Sequence, residues 1–465
     1  MNHRRITPAD YLSEAPPERI IGTECEYNIQ NVGREWGEIT AMHYISSQAL
    51  FSAGLQRIDS FMSNGSRIYL DHGGLLEYAT PECLGPRQAA AADLAGVVVL
   101  QKVITASGLP HNGLYRVAGT DIKESYTAKD GTSSGYHENH MMARATSLDS
   151  LLDRLVPSHL ASRLWAMSGS LQMRGFILSQ KINGVGGEPV SRVLERRVSH
   201  GTKPMVIIPP IGADSGVQAS GEWARAEVRY ADPGLSRTMR YLALAATSLV
   251  IRLVEHHKKL DPQQLTLAML KDPMLAAKRY AYDLSMTATA ENMAGQQLTA
   301  LNLTEQFALL ASQLNEKIQL PPDEQAAIPL WFDVIDMMRD IDPVQGSYGD
   351  FAYVSDLAAR HRRLVKHFTS DKLDGHNMRA ARASMIWDRT LPEGTGQRWW
   401  KHFPSSYVDD KAIAELELKA PYTRAARRAY LIRYKRNKTH SLDWATSTSK
   451  AGVKSRISGD AYGNR

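Results

Sequence analysis

The segment RIIGTECEYNI, residues 19–29, carries two carboxylates, Glu24 and Glu26, two positions apart in an otherwise apolar run. An extended chain alternates its side chains between two faces, so Glu24 and Glu26 share one face and Cys25 and Tyr27 the other. Two like charges on a partly buried face repel, and burying each costs several kcal/mol unless a counter-charge is supplied. A divalent cation is the usual counter-charge; an exposed edge strand is the plainer alternative. The period of two repeats elsewhere. NGSRIYLDHG sets Arg67, Tyr69 and Asp71 against Ile68 and Leu70, and EYATPE adds Glu77 and Glu82. GYHENHMMARA sets His137 and Asn139 against Glu138 and His140, and WARAEVRYAD sets Arg225, Glu227 and Arg229 against Ala226, Val228 and Tyr230.

An antiparallel sheet with one wet face produces such alternation. The content of these faces is less usual, being carboxylates, histidine, asparagine and arginine rather than lysine, threonine and serine. Carboxylates ligate hard cations through oxygen and arginines neutralise phosphate oxygens, which together are the parts of a phosphoryl-transfer site. Asp71 could then orient or deprotonate an acceptor. Taken singly, each residue also has a structural role available: Asp71 in a DHG turn, a histidine as a hydrogen-bonded core group.

Ordinary globular composition surrounds these segments, with 43% hydrophobic and 22% charged residues in a chain of 465. Two cysteines, Cys25 and Cys83, argue against a disulfide framework and fit a reducing, cytoplasmic setting. Residues 1–18 are expected to form a flexible leader ending at Pro16–Pro17. A helix is predicted from Pro86 to Gly108, a second near Leu151 kinked at Pro157, and a third from about Leu235 to Lys258. The apolar stretch beginning at Tyr241 is broken by Arg252 and too short to span a bilayer, so it reads as a core helix. Residues 260–390 are mostly helical by periodicity, with Pro321–Pro322 ending one helix. The break LPEGTG (391–396) separates a main domain, 19–390, from a small basic module, 391–465. Within that module, residues 421–440 hold seven Lys or Arg and no acid, which suits an acidic partner or a solvated helix face. No nucleic-acid-binding fold accompanies it, and Trp399–Trp400 read as packing.

GTECEY, NGSRIYLDHGGLLEYATPE, SGYHENH, LSQK (178–181) and APYTRAARR (420–428) resemble, in order, the landmarks of the Pup ligase and depupylase family of glutamine synthetase-like carboxylate–amine ligases. The resemblance implies an α+β fold, a curved antiparallel β-sheet cradle packed against helices, with a small C-terminal domain. It implies Mg²⁺ and an adenine nucleotide (ATP, ADP or AMP) in the cradle. Carried over by resemblance, Glu24, Glu26 and Glu77 would be metal ligands and Asp71 the catalytic aspartate, with Asn64 in the turn before it. Arg67, Tyr69, His137, Asn139 and Arg229 would face the nucleotide, with Glu138 inside the HEN element, and Arg225 would be a second catalytic group.

Three departures stand out. Glu227 occupies a position where the family has histidine, adding a negative charge and a further candidate metal ligand. IIPPIGAD (207–214) replaces a stretch carrying an arginine and an acidic pair, and HNMRAARASMIW (376–387) lacks acidic and aromatic residues expected there. Local details such as His72 and TPE lean towards the depupylases, whereas the short interval from Glu24 to Asp71 is ligase-like. The departures favour a Mg²⁺-dependent phosphotransferase acting between an adenine nucleotide and a small-molecule carboxylate or hydroxyl acceptor. The alternatives are a depupylase or Pup deamidase hydrolysing Pup–lysine isopeptide bonds, a Pup–protein ligase, and an inactive nucleotide or Pup sensor. A Pup-like acidic protein would dock on the basic module; no membrane partner is expected.

Overall fold

The alternation of IIGTECEYNIQ is realised as strand β1 (Ile20–Gln30), the centre of the sheet that carries the site. The structure, a computed structural model, describes residues 6–30, 59–70, 75–107, 113–116, 135–172, 175–183, 192–195, 204–208, 221–368, 373–374, 377–391, 393–435, 439–442, 446–449 and 454–456. Around β1 stand β2 (Asp59–Phe61), β3 (Arg67–Leu70), β4 (Leu76–Ala79), β5 (Cys83–Leu84), β6 (Gly113–Tyr115) and β7 (Tyr136–Ala143). A small hairpin, β8 (Ser170–Gln172) and β9 (Gly175–Ile177), lies apart from this sheet. Next come β10 (Arg192–Glu195), β11 (Pro204–Ile207) and β12 (Trp223–Val228). The main path runs β10-β11-β12-β7-β1-β4-β3-β2 and is antiparallel except for the β10–β11 pair.

One face of this sheet is apolar. Cys25, Tyr27, Ile68, Tyr78, Tyr136, Ala226 and Val228 are all buried, as the period of two requires. Behind them pack the helices Gly85–Ser107 and Arg237–Glu255, with Leu152–Ser162 and Pro322–Arg339 completing the layer. The first of these packs closely because it is rich in small residues: Ala89, Ala90, Ala91, Ala92 and Ala95 have no exposed surface. At Gly96 an added Cβ would lie 2.4 Å from the Tyr78 ring, so only glycine permits that approach. Among the described residues, Gly85–Ala106 is the helix long and apolar enough to cross a bilayer, rather than the Tyr241 stretch; here it is mostly buried in this core.

Buried charges beneath the sheet are paired. Glu138 accepts a bond from Arg163 Nη1 at 2.9 Å, and although burial alone would raise its pKa, Arg163 and His140 hold it well below the carboxylate range. Asp93 meets Arg116, Arg240 and the Thr23 hydroxyl. Such pairs become costly when one partner is removed, so they tie β1 and β7 to the helices behind them.

The leader expected over residues 1–18 is docked over its described part. Pro8–Tyr11 form a short helix, and buried Tyr11 meets Trp223 edge-on at 5.2 Å. Arg252 Nη2 donates to Pro17 O at 2.6 Å, and Gln319 N donates to Glu14 O at 2.7 Å. A flexible leader is therefore not what residues 6–18 form: a large aromatic and several backbone acceptors find partners on the main body.

The basic module is also attached, through Glu82. Its carboxylate accepts from Arg424 Nη2 at 2.9 Å and Arg428 Nη1 at 2.8 Å, and Thr423 donates to its backbone oxygen. Burial alone would raise Glu82, but Arg428 and Arg424 outweigh it and bring its pKa down to about 2. Two of the arginines read as a docking surface thus turn inward, while Arg427 lies over the ring of exposed Tyr430. Asn64 Nδ2 donates to Leu416 O at 3.0 Å, and Arg428 Nη2 to Gly65 O at 3.2 Å. Both bonds hold the turn that launches β3. Trp400 is core packing, as expected, with Nε1 bonded to Asp356 Oδ1 at 2.7 Å.

Candidate active site

Register decides which side chains of the polar face meet. On one side of β1, Glu24 stands opposite His137 of β7; on the other, Glu26 stands opposite Glu77 of β4, and Glu77 opposite Tyr69 of β3. Directly opposed antiparallel residues project to the same face. His137 Nδ1 lies 3.2 Å from Glu24 Oε2, and Glu77 reaches the same point diagonally. One ligand atom from each of Glu24, Glu77 and His137 falls within 4.8 Å of the others.

Two carboxylates and an imidazole converging at that separation suit a divalent cation, the two carboxylates favouring a hard one. The supporting shell fits too. Tyr69 Oη donates to Glu77 Oε1 at 2.5 Å, and burial together with the charges of Glu24 and Glu77 pushes the phenol well above its ordinary pKa. It therefore stays a donor and fixes one oxygen of Glu77.

Glu26 and Glu227, both expected as ligands, lie beside this cluster rather than in it. Glu26 is drawn to Gly135: its amide donates to Gly135 O at 2.9 Å, and Gly135 N donates to Glu26 Oε2. A Cβ at position 135 would sit 2.5 Å from Glu26 Oε1, so a glycine is required for that approach. Glu227 is held by arginines, accepting from Arg229 Nε at 2.6 Å and Arg225 Nη2 at 3.0 Å. Burial alone would raise its pKa, but Arg225, Arg229 and His137 keep it down at about 2. His137, expected on the nucleotide side, is instead part of the converging set, because β7 pairs directly with β1.

Arg225 Nη1 also donates to Asn139 Oδ1 at 2.9 Å and lies 3.7 Å from Glu24 Oε1, which links β12, β7 and β1 across the face. Arg67 lies over the rings of Tyr69 and Phe61, at 4.8 and 5.4 Å to their centroids. Asp71 lies outside the described residues, as do His72 and residues 209–214. Glu138 faces the core with His140, as the alternation predicted. One group was quoted within a motif but given no role: Lys181 is buried, burial lowers its pKa, and Glu26 and Asp232 oppose that shift. Neither hydropathy nor periodicity could have placed it, since it follows a short hairpin and sits on a single helical turn.

The family model described as Pup-ligase protein matches residues 9–448. The Pup–protein ligase of Acidimicrobium ferrooxidans is 27% identical over 448 residues, covering 92% of this chain and 91% of its own length. The Pup deamidase/depupylase of Mycolicibacterium smegmatis is 28% identical over 61% of this chain and 54% of its own. Among solved structures, the complex of the prokaryotic ubiquitin-like protein Pup with its ligase PafA superposes with a TM-score of 0.79 at 18% identity, covering 97% of this chain and 91% of that one. PafA in complex with ADP gives 0.71 at 17% identity, covering 94% and 93%.

Proposed function

The chain belongs to the Pup-ligase protein family, and from that membership we propose that it is an ATP- and Mg²⁺-dependent ligase that phosphorylates a carboxylate of a Pup-like acidic protein and joins it to a lysine amine. The observation that carries this reading is the convergence of Glu24, Glu77 and His137 beside a pair of arginines, in a chain that aligns end to end with a Pup–protein ligase. The match over 91% of the Acidimicrobium ferrooxidans ligase supports the ligase reading, while a depupylase and a further ligase each match over little more than half of their own length. The ADP-bound relative of the same fold supports an adenine nucleotide as phosphoryl donor.

Residues that would hold the metal are Glu24, Glu77 and His137, and bound Mg²⁺ would neutralise charge on the nucleotide phosphates. Tyr69 keeps Glu77 in one orientation. Arg225 and Arg229, both bonded to Glu227, place guanidinium charge on the same face, and that charge favours phosphate oxygens as negative charge develops. In the first step a carboxylate oxygen attacks the γ-phosphorus and ADP leaves. In the second the lysine nitrogen attacks the acyl carbon, inorganic phosphate departs with the bonding pair, and the amine loses its proton. Asp71, by its resemblance to the family aspartate, would orient the acceptor or take that proton.

A second reading keeps the first step and changes the acceptor: phosphoryl transfer to a small-molecule carboxylate or hydroxyl, which the sequence departures favoured. One observation supports it. Glu227 occupies both arginines of β12, so the site handles oxyanions under altered charge balance. Incubation with ATP, Mg²⁺, hydroxylamine and a Pup-like protein tests the two. Hydroxamate on the protein and ADP release dependent on it support the ligase. ADP release with small acids and none with the protein moves the assignment to the second reading. Asp71→Asn should abolish turnover with nucleotide affinity nearly intact.

A further inference from the structure

Arg225, Glu227 and Arg229 lie at alternate positions of β12 and its continuation, so all three turn to the site face. Each oxygen of Glu227 has its own guanidinium: Oε1 accepts from Arg229 Nε at 2.6 Å and Oε2 from Arg225 Nη2 at 3.0 Å. The carboxylate is 6% exposed, whereas the Arg225 and Arg229 side chains are 22% and 33% exposed. The cations are thus the more exposed groups, with the anion set between them. Arg225 also reaches Asn139 and approaches Glu24, which places the pair at the rim of the cluster of Glu24, Glu77 and His137.

A carboxylate with one guanidinium on each oxygen has the charge and oxygen spacing of a ligand carboxylate or of two phosphate oxygens. We propose that Arg225 and Arg229 form an oxyanion subsite whose resident occupant is Glu227, so that a ligand's carboxylate or phosphate group binds there only by displacing that side chain. This rests on the reading that the face receives phosphorylated or carboxylate ligands. Glu227 is then a specificity-determining residue. It discriminates against free oxyanions, and only a ligand with further contacts in the cradle gains enough to move it. Its own position between the arginines is the price of that selectivity.

The test uses the full chain without nucleotide, metal or protein acceptor, so it is independent of ligation. Wild type, Glu227→Ala and Glu227→Gln are titrated with sodium acetate and with orthophosphate at constant ionic strength, reading calorimetric binding and melting temperature. Emptying the subsite should give saturable binding at least about tenfold tighter than wild type for one of the two anions, with a matching rise in melting temperature. Preference for acetate assigns the subsite to a carboxylate, and preference for phosphate to a phosphoryl group. Adding Arg229→Ala to either variant should remove the gain. Glu227→Gln keeps the side-chain volume and serves if the alanine variant does not fold. Affinities within twofold of wild type for both anions, or a gain that survives Arg229→Ala, would overturn the proposal.

Discussion

Replacing Glu82 with glutamine removes the negative charge that anchors the basic module, and its cost can be worked in two ways. Arg424 and Arg428 have side chains 6% and 0% exposed, so the variant leaves two buried guanidinium groups facing a neutral amide. Breaking a buried pair from one side typically costs about 3–5 kcal/mol. Independently, lowering the Glu82 pKa from 4.5 to about 2 corresponds to about 3 kcal/mol of stability from its ionisation. The sign follows from the depressed value: this contribution is fully present above pH 4.5 and is lost as pH falls through about 2. Urea unfolding of wild type and Glu82→Gln at pH 7 should differ by about 3 kcal/mol, and the difference should shrink at pH 3. Limited proteolysis should then cut the variant between the helices Asp410–Leu418 and Arg424–Lys435, which wild type protects. Activity should fall as well, because Arg428 and Asn64 hold the turn that launches β3. A loss below about 1 kcal/mol at pH 7, or one that does not change with pH, refutes the reasoning.

Three other outcomes follow from the geometry. Glu77→Gln should weaken Mn²⁺ binding, read by water-proton relaxation, by at least about tenfold, and Tyr69→Phe should weaken it by about tenfold with little change in melting temperature. Equal affinity in all three proteins removes Glu77 from the metal site. Gly135→Ala must displace the Glu26 carboxylate, since three of its atoms would lie within 3.0 Å of the new Cβ; destabilisation of about 1–3 kcal/mol by urea unfolding is expected, and none is expected if Glu26 is free to move. Burial and the neighbouring charges of Asp323 and Glu324 push Glu18 up to about 7. A raised carboxyl favours folding while protonated, so stability is lost as pH rises from 4.5 through about 7. Glu18→Gln should therefore melt above wild type at pH 8 and close to it at pH 4.5; equal melting temperatures at pH 8 would contradict this.

The faces of the strands were legible in the sequence because charged and apolar residues alternate cleanly in β1, β3, β7 and β12. Helix ends were legible where proline or glycine marks them, as at Gly85–Ser107. Register was not. It depends on which residues of separate strands come opposite one another, and that pairing moved His137 from the nucleotide side to the converging set. Glu26 and Glu227 share the expected face, yet local partners hold them to one side: the backbone of Gly135 for one, two guanidinium groups for the other. Glu82 and Arg428 are far apart in the chain, so nothing in either segment announced their pairing. The docked leader depended likewise on partners supplied by distant helices. Strand faces and helix ends follow from patterns each segment carries alone, the fold class comes from the family resemblance, and the site depends on contacts between segments.

The proposed function turns on phosphorylation of a carboxylate at this face. A Pup-like acceptor labelled with ¹⁸O in its carboxyl oxygens, incubated with ATP, Mg²⁺ and a lysine donor, tests it most directly by mass analysis of the released phosphate. Transfer of one ¹⁸O from the carboxyl group into inorganic phosphate, abolished in Glu77→Gln, is the predicted result. Amide formation with no label in the phosphate would contradict the account.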